Sequence, residues 1–144
     1  MPPKRIASLL RDNVQEITSK VLEGMKADPQ LGQLRLSDNQ RVDHIPKMIG
    51  AMADSLESNH GKISENSLHA AFEHGKLRRK QGYSIPMMVE DTHAVDSAIH
   101  EIVQNNLLFL DLSHLISDLR ALNGILEMQL KESLKAYTSK GEAA

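Results

Sequence analysis

EHGKLRRKQGYSIPMM, residues 73 to 88, contains the end of one helix and the beginning of the next. Gly82 follows a run of cations and suits the left-handed backbone conformation that commonly ends a helix. Ser84 is a favourable N-cap for a second helix, and Tyr83 and Met88 occupy the N′ and N4 positions of a hydrophobic staple. Because so few residues connect the two helices, the sequence predicts an antiparallel helical hairpin.

Helical periodicity continues from this turn towards both ends of the chain. Apolar residues recur at helical spacing in five segments, residues 4–25, 37–58, 64–81, 84–105 and 112–137. The second segment opens with a capping-box pattern from Ser37 to Gln40, and Pro46 suits a first helical turn. The sequence therefore predicts an all-α fold, a single five-helix bundle with a long C-terminal helix, for which a globin-like arrangement is one form. Residues 1–138 form the domain, and residues 139–144 are a flexible tail or the start of a linker.

Composition narrows the classes of function. The chain has 144 residues, is 40% hydrophobic and only 3% aromatic, which suits one domain of packed helices. A net charge of -2 provides no global attraction to nucleic acid or anionic lipid. The chain has no cysteine, so disulfides, thiolate ligands and cysteine nucleophiles are excluded. With no long apolar run and no signal-peptide pattern, the sequence predicts a cytoplasmic protein that binds neither nucleic acid nor membrane.

The last segment carries a leucine seam. Leucines at 112, 115, 119, 122 and 126 alternate spacings of three and four, which is the a/d pattern of a coiled coil. The seam shifts near Gln129, so a single helix would face the bundle along one half and a partner along the other. The sequence predicts a homodimer through this helix and the first helix, with an interface formed by Leu115, Leu119, Leu122 and Leu126. The alternative is a monomer in which all four leucines face one core.

Histidines raise the question of a metal or haem. Glu90 and His93 form an E-x-x-H pair, and His100 lies two turns further along the same helix. Di-iron bundles need two such pairs and two more inward glutamates, so these three residues are only weak metal candidates. Haem would need an axial histidine in a roomy pocket, with His74, His93 or His100 as the ligand. No cofactor is predicted, and a haem- or metal-binding sensor stays open as an alternative.

Catalytic patterns are absent from the sequence. It contains no G-x-S-x-G, no glycine-rich phosphate loop and no H-E-x-x-H, so we predict that the protein is not an enzyme. A histidine phosphotransfer module is a less favoured alternative, because neither His69 nor His74 is followed by the usual lysine and glycine one turn later. The cations from Lys76 to Lys80 complement the partial negative charge of a helix C-terminus. His74 is expected at the edge of the apolar stripe, bonded to a neighbouring helix or a carbonyl.

Residues 74–103, HGKLRRKQGYSIPMMVEDTHAVDSAIHEIV, resemble a known pattern. In that pattern H-G-x-x-R is followed by a short basic stretch, Q-G-Y/F-S and an apolar helix. It is found in the N-terminal domain of RsbRD-type RsbT co-antagonist proteins of the bacterial stressosome, and similar domains precede sensor histidine kinases. The matching residues are His74, Gly75, Arg78, Gln81, Gly82 and Tyr83. The segments DHIPKMIGAMADSL and LKESLKAYT are also similar to that family, so the resemblance covers nearly the whole chain.

The resemblance implies an all-helical sensory or regulatory input domain. Such a domain would act through protein contacts on a STAS-type or histidine-kinase-type output, and neither kind of output domain follows Thr138 in this sequence. The resemblance assigns no ligand to any of the six motif residues and names no stimulus.

Overall fold

The computed structural model describes residues 2–58 and 62–139, so the predicted tail lies outside the described residues except for Ser139. The predicted all-α fold is confirmed, and the C-terminal helix is the longest of the described helices. The helices are α1 (Ile6–Asp12), α2 (Val14–Ala27), α3 (Asp38–Val42), α4 (Ile45–Ser58), α5 (Glu65–Lys80), α6 (Ile85–Asn105) and α7 (Leu112–Thr138), with 3-10 turns at Leu31–Gln33 and Leu107–Phe109. Within the described ranges, no helix is long and apolar enough to cross a membrane.

Each of the five predicted helical segments is helical, and two of them are subdivided. The first breaks at Asn13, whose side-chain amide donates to the Leu9 carbonyl at 2.9 Å and thereby competes with the backbone. The second begins as α3, with the predicted capping box at Ser37 and Gln40. Pro46 has no N–H to donate to the carbonyl four residues earlier, so α3 ends and α4 begins as a separate helix.

The turn at residues 81–84 forms as predicted, but the two helices that it joins do not pair. Gly82 has a φ of 91°, and the Ser84 hydroxyl accepts from the Met87 amide at 3.3 Å. However, α5 packs along α7 and α6 packs along α2, so the predicted antiparallel hairpin is wrong as a packing unit.

Helices α5 and α7 meet through small residues. Ser67, Ala71 and Gly75 are spaced four apart on α5, and all three are buried. The Gln129 side chain donates to the Ser67 hydroxyl at 2.9 Å, and the Ser133 hydroxyl donates to the Ala71 carbonyl at 2.9 Å. A Cβ placed on Gly75 would lie 2.1 Å from the Ser133 carbonyl oxygen. The two backbones can therefore approach this closely only because residue 75 is a glycine.

Four of the five seam leucines, Leu115, Leu119, Leu122 and Leu126, face the chain's own core, which corrects the predicted dimer interface, while Leu112 is 64% exposed. Leu122 and Leu126 are buried, with exposed fractions of 0% and 6%. Leu115 and Leu119 are partly buried and pack against the same core. Because α4, α5 and α6 all contact α7, they cover the seam. Leu122 and Leu126 are therefore not available to a second chain, and the homodimer itself stays a prediction.

Candidate functional site

Three of the six motif residues, His74, Arg78 and Tyr83, contact one buried carboxylate, that of Asp91 on α6, which is 1% exposed. From α5, the Arg78 Nη2 and Nε atoms donate to the two Asp91 carboxylate oxygens at 3.1 and 3.4 Å. One turn earlier on α5, the His74 Nε2 atom lies 2.6 Å from Asp91 Oδ2. Two residues spaced four apart therefore hold the same carboxylate, which fixes the angle between α5 and α6.

Arg78 is fully buried and bonded on each side of its guanidinium. Its Nη1 atom donates to the Gln81 side-chain oxygen and its Nη2 atom to the Arg41 carbonyl, both at 2.7 Å. The Tyr83 ring lies 4.8 Å from the guanidinium carbon, which adds a cation–π contact. Arg78 lies in the last turn of α5, as predicted, and its side chain turns inward to meet Asp91.

Two further motif residues, Gln81 and Tyr83, connect the turn to distant helices. The Gln81 amide donates to the Gln40 carbonyl at 3.0 Å, which ties the turn to α3. The Tyr83 carbonyl accepts from the Tyr137 hydroxyl at 2.6 Å, and Arg79 donates to the Tyr137 carbonyl at 2.7 Å. The turn therefore holds the C-terminal end of α7 as well as joining α5 to α6.

His44, which lies between α3 and α4, extends the network towards the surface. Its Nε2 atom is 2.7 Å from His74 Nδ1, and the two rings are 4.7 Å apart and tilted by 37°. A hydrogen bond between these two nitrogens requires a proton on one of them, with the other as acceptor. His44 Nδ1 is 3.4 Å from the exposed Asp43 carboxylate. A continuous chain of polar groups therefore runs from Asp91 to solvent.

Burial and the fixed charges set the ionisation states of this network. Burial, followed by the charges of His74 and Arg78, lowers the pKa of His44 to about 4. Burial alone would raise the pKa of Asp91, but the charges of His74 and Arg78 outweigh it and lower that pKa to about 2. Burial and the Asp91 charge raise the pKa of Tyr83. At neutral pH, Asp91 is therefore ionised while His44 and Tyr83 are neutral.

The distances within this network and the small cavity beside it leave no space for a metal ion or a haem. Two nitrogens that bind one zinc at about 2.0–2.1 Å in tetrahedral geometry lie more than about 3 Å apart, so the short His44–His74 distance leaves no room for a shared metal. The cavity beside His74 and Asp91, lined also by Gln129 and Ser133, has a volume of about 10 Å³. That volume holds one water molecule at most, so a haem does not fit at His74 in this arrangement.

The weak metal candidates lie elsewhere, and His100 is separate from the other two. Glu90 and His93 line a surface groove of about 380 Å³ between α2 and α6. His100 is exposed and turns towards Asp96, with Nδ1 3.0 Å from the carboxylate. Among residues 2–58 and 62–139, no group of three or more histidine, aspartate or glutamate side chains is arranged to hold a metal ion.

Comparison of the chain with protein-family models, curated proteins and solved structures found no match. The resemblance to the RsbRD-type N-terminal domain therefore stays a prediction that rests on the motif residues. Of those residues, His74, Arg78 and Tyr83 contact Asp91, Gln81 contacts Arg78, and Gly82 forms the turn. Gly75 lies apart from them, at the contact with α7.

Sequence reasoning missed Asp91 and His44. A signal for Asp91 was present, because this residue lies three positions after Met88 and four before Val95, on the apolar stripe of α6. A carboxylate on a buried stripe needs a partner, and the facing helix offers an arginine and a histidine. No comparable signal exists for His44, because its contact with His74 joins residues 30 positions apart and depends on how α3 and α4 are placed.

We expect the protein to lose stability as the pH falls from about 6.5 towards 4. Unfolded His44 binds a proton with its ordinary pKa of 6.5, while the folded residue binds it only near 4. Because the unfolded state then holds more protons, acid favours it, by up to about 3 kcal/mol at 1.36 kcal/mol per pKa unit. Urea unfolding of the wild type and of His44→Gln between about pH 7 and pH 4.5 measures this difference.

The exposed His69 on α5 provides the control. His69→Gln should retain the wild-type pH dependence, whereas His44→Gln should flatten it above about pH 4.5. Parallel pH profiles for all three proteins would show that His44 is not responsible.

Proposed function

We propose that this chain is a cytoplasmic signal-input domain without enzymatic activity, which acts through protein contacts on a STAS-type or histidine-kinase-type output. The observation that supports this proposal is that the motif residues bond helices of the chain to one another. The polar side chains His74, Arg78, Gln81 and Tyr83 join helices to one another. None of these bonds leads to a ligand pocket, so the motif serves the arrangement of the helices.

A buried ionic network is a means of specifying one helix arrangement. Removing ions from water costs several kcal/mol per ion, and well-packed apolar residues often stabilise a core equally well. A network centred on Asp91 therefore contributes more to specificity than to stability. A stimulus changes the output only when it favours a different arrangement, and a contact that joins α3, α5, α6 and the end of α7 couples all four.

The alternatives fit the geometry less well. A haem or metal sensor based on His74 would have to break two bonds of 2.6 and 2.7 Å, because both ring nitrogens are already paired inside the protein. A phosphotransfer module needs an exposed histidine acceptor, whereas His74 is buried, and the exposed His69 is not followed by the usual lysine and glycine one turn later. Protein contact is therefore the function that these residues favour.

The test is chemical crosslinking of the full chain in its native host, followed by mass spectrometry. We expect crosslinks to a protein that carries a STAS domain or a histidine-kinase core. The same preparation is analysed by absorption spectroscopy and for bound metal. A Soret band or stoichiometric metal would establish the sensor alternative, and crosslinks to no signalling protein would contradict the proposed output.

A further inference from the structure

An apolar surface is exposed where α7 begins. Its side chains belong to the 3-10 turn and the first two turns of the helix, and their exposed fractions run from 43% to 96%. We call this surface the apolar patch: Leu107, Leu108, Phe109, Leu112 and Ile116. It lies at the opposite end of α7 from Tyr137, which holds the turn between α5 and α6.

The backbone that displays the apolar patch is fixed by the N-terminal arm of the chain. The Lys4 amide donates to the Phe109 carbonyl, and the Asp111 amide donates to the Lys4 carbonyl, both at 2.8 Å. Leu110 is buried between these bonds, while its neighbours Leu108 and Phe109 point into solvent. Because the backbone is already ordered, a partner that binds here meets a preorganised surface and the entropy cost of association is low.

The area of the apolar patch matches one half of a protein interface. With about 200 Å² for each fully exposed large apolar residue, the five residues expose roughly 670 Å², slightly above the usual upper limit for a soluble monomer. Two such patches in contact would bury about 1,300 Å², which lies within the range for a specific interface.

The charges around the apolar patch favour a second copy as the occupant. A surface that meets its own copy brings like charges together, so it must be locally neutral. Two pairs of charged residues close to the apolar patch are each neutral within the chain: Lys4 with Asp12 at 2.6 Å, and Arg5 with Asp118 at 2.8 Å. A different partner would more commonly be matched by an unbalanced charge on this rim.

We propose that two copies of this chain associate through the apolar patch about a two-fold axis, with Leu112 and Ile116 of each α7 in the contact. The assignment replaces the predicted interface of Leu115, Leu119, Leu122 and Leu126 by exposed residues at the start of the same helix, which include the first leucine of the seam, Leu112. This proposal rests on the proposed role in protein contacts and specifies a second copy of the chain as one partner. It does not depend on the identity of the output protein. It also explains why α7 retains apolar side chains on its solvent face.

The test compares two matched pairs of substitutions by light scattering at micromolar concentrations. Leu112 and Ile116 are the first and fifth residues of α7, and Ile85 and Val89 are the first and fifth residues of α6, exposed by 47% and 45%. We expect a wild-type particle of twice the chain mass of 16.0 kDa. Leu112→Glu with Ile116→Glu should give a single-chain particle, and Ile85→Glu with Val89→Glu should remain dimeric.

A third variant distinguishes loss of the dimer from loss of the fold. Leu108 is 96% exposed, so Leu108→Glu should keep the wild-type helical circular dichroism and melting temperature while it weakens the dimer at least tenfold. A wild-type particle of single-chain mass, or a dimer that persists in both patch variants, would overturn the assignment. Either result leaves the crosslinking test of the proposed function unaffected, so the two proposals fail independently.

Discussion

Replacement of Asp91 by alanine is expected to lower the free energy of unfolding by about 3–5 kcal/mol, the range found when one partner of a buried ion pair is removed. Arg78 is 0% exposed, and its positive charge would then lie in the core with only neutral partners. His74 would also lose the acceptor at 2.6 Å. Urea unfolding followed by circular dichroism measures the change, with the wild type under identical conditions.

The helix itself provides a matched control for this prediction. Asp96 is a second aspartate of α6 and also lies near a histidine, 3.0 Å from His100, but both residues are substantially exposed. Since exposed ion pairs contribute about 0–1 kcal/mol, Asp96→Ala should change the stability by less than about 1 kcal/mol. Equal losses for Asp91→Ala and Asp96→Ala would show that burial of the ion pair does not determine the effect.

A double substitution distinguishes the contribution of the ion pair to stability from the contribution of side-chain packing. Asp91→Leu leaves Arg78 unpaired, whereas Asp91→Leu combined with Arg78→Met removes both charges and keeps similar volumes. We expect the double variant to be more stable than Asp91→Leu alone, with an interaction free energy of about 0.5–3 kcal/mol. Additive losses would place the contribution of Arg78 in its contacts with Gln81 and the Arg41 carbonyl.

Local chemistry made the helices predictable. The capping box at Ser37, the N-cap at Ser84 and the left-handed glycine at position 82 each depend on residues close in sequence, and all three are found as predicted. The partners of each helix were not predictable in the same way. A short connection alone favoured pairing of α5 with α6, while the small residues of α5 select α7. Long-range packing therefore overrides the expectation from connection length.

The same distinction explains the errors in the candidate site. A run of four cations within five positions looks like a helix terminus, and only the resemblance singled out Arg78, which turns inward, from its exposed neighbours Arg79 and Lys80. The leucine seam was recognised correctly as a continuous apolar stripe, but an amphipathic pattern does not tell whether the covering surface belongs to the same chain. In this protein α4, α5 and α6 supply that surface.

Replacement of Gly75 by alanine is expected to cost about 3 kcal/mol, at the upper end of the range for an overpacked core. The added Cβ would lie 2.1 Å from the Ser133 carbonyl oxygen, and a backbone atom cannot rotate away as a side chain does. The helices would have to separate, which would lengthen the bond from the Ser133 hydroxyl to the Ala71 carbonyl and the bond between Gln129 and Ser67.

Gly124 of α7 is the matched control, because a Cβ placed there has no other atom within 4 Å. Alanine is favoured over glycine inside a helix by about 1 kcal/mol, so Gly124→Ala should raise the stability while Gly75→Ala lowers it. Thermal and urea unfolding of both variants give opposite signs if close helix contact determines the result. A stabilising Gly75→Ala would mean that α5 and α7 lie further apart in solution, and that intrinsic helix propensity outweighs their packing.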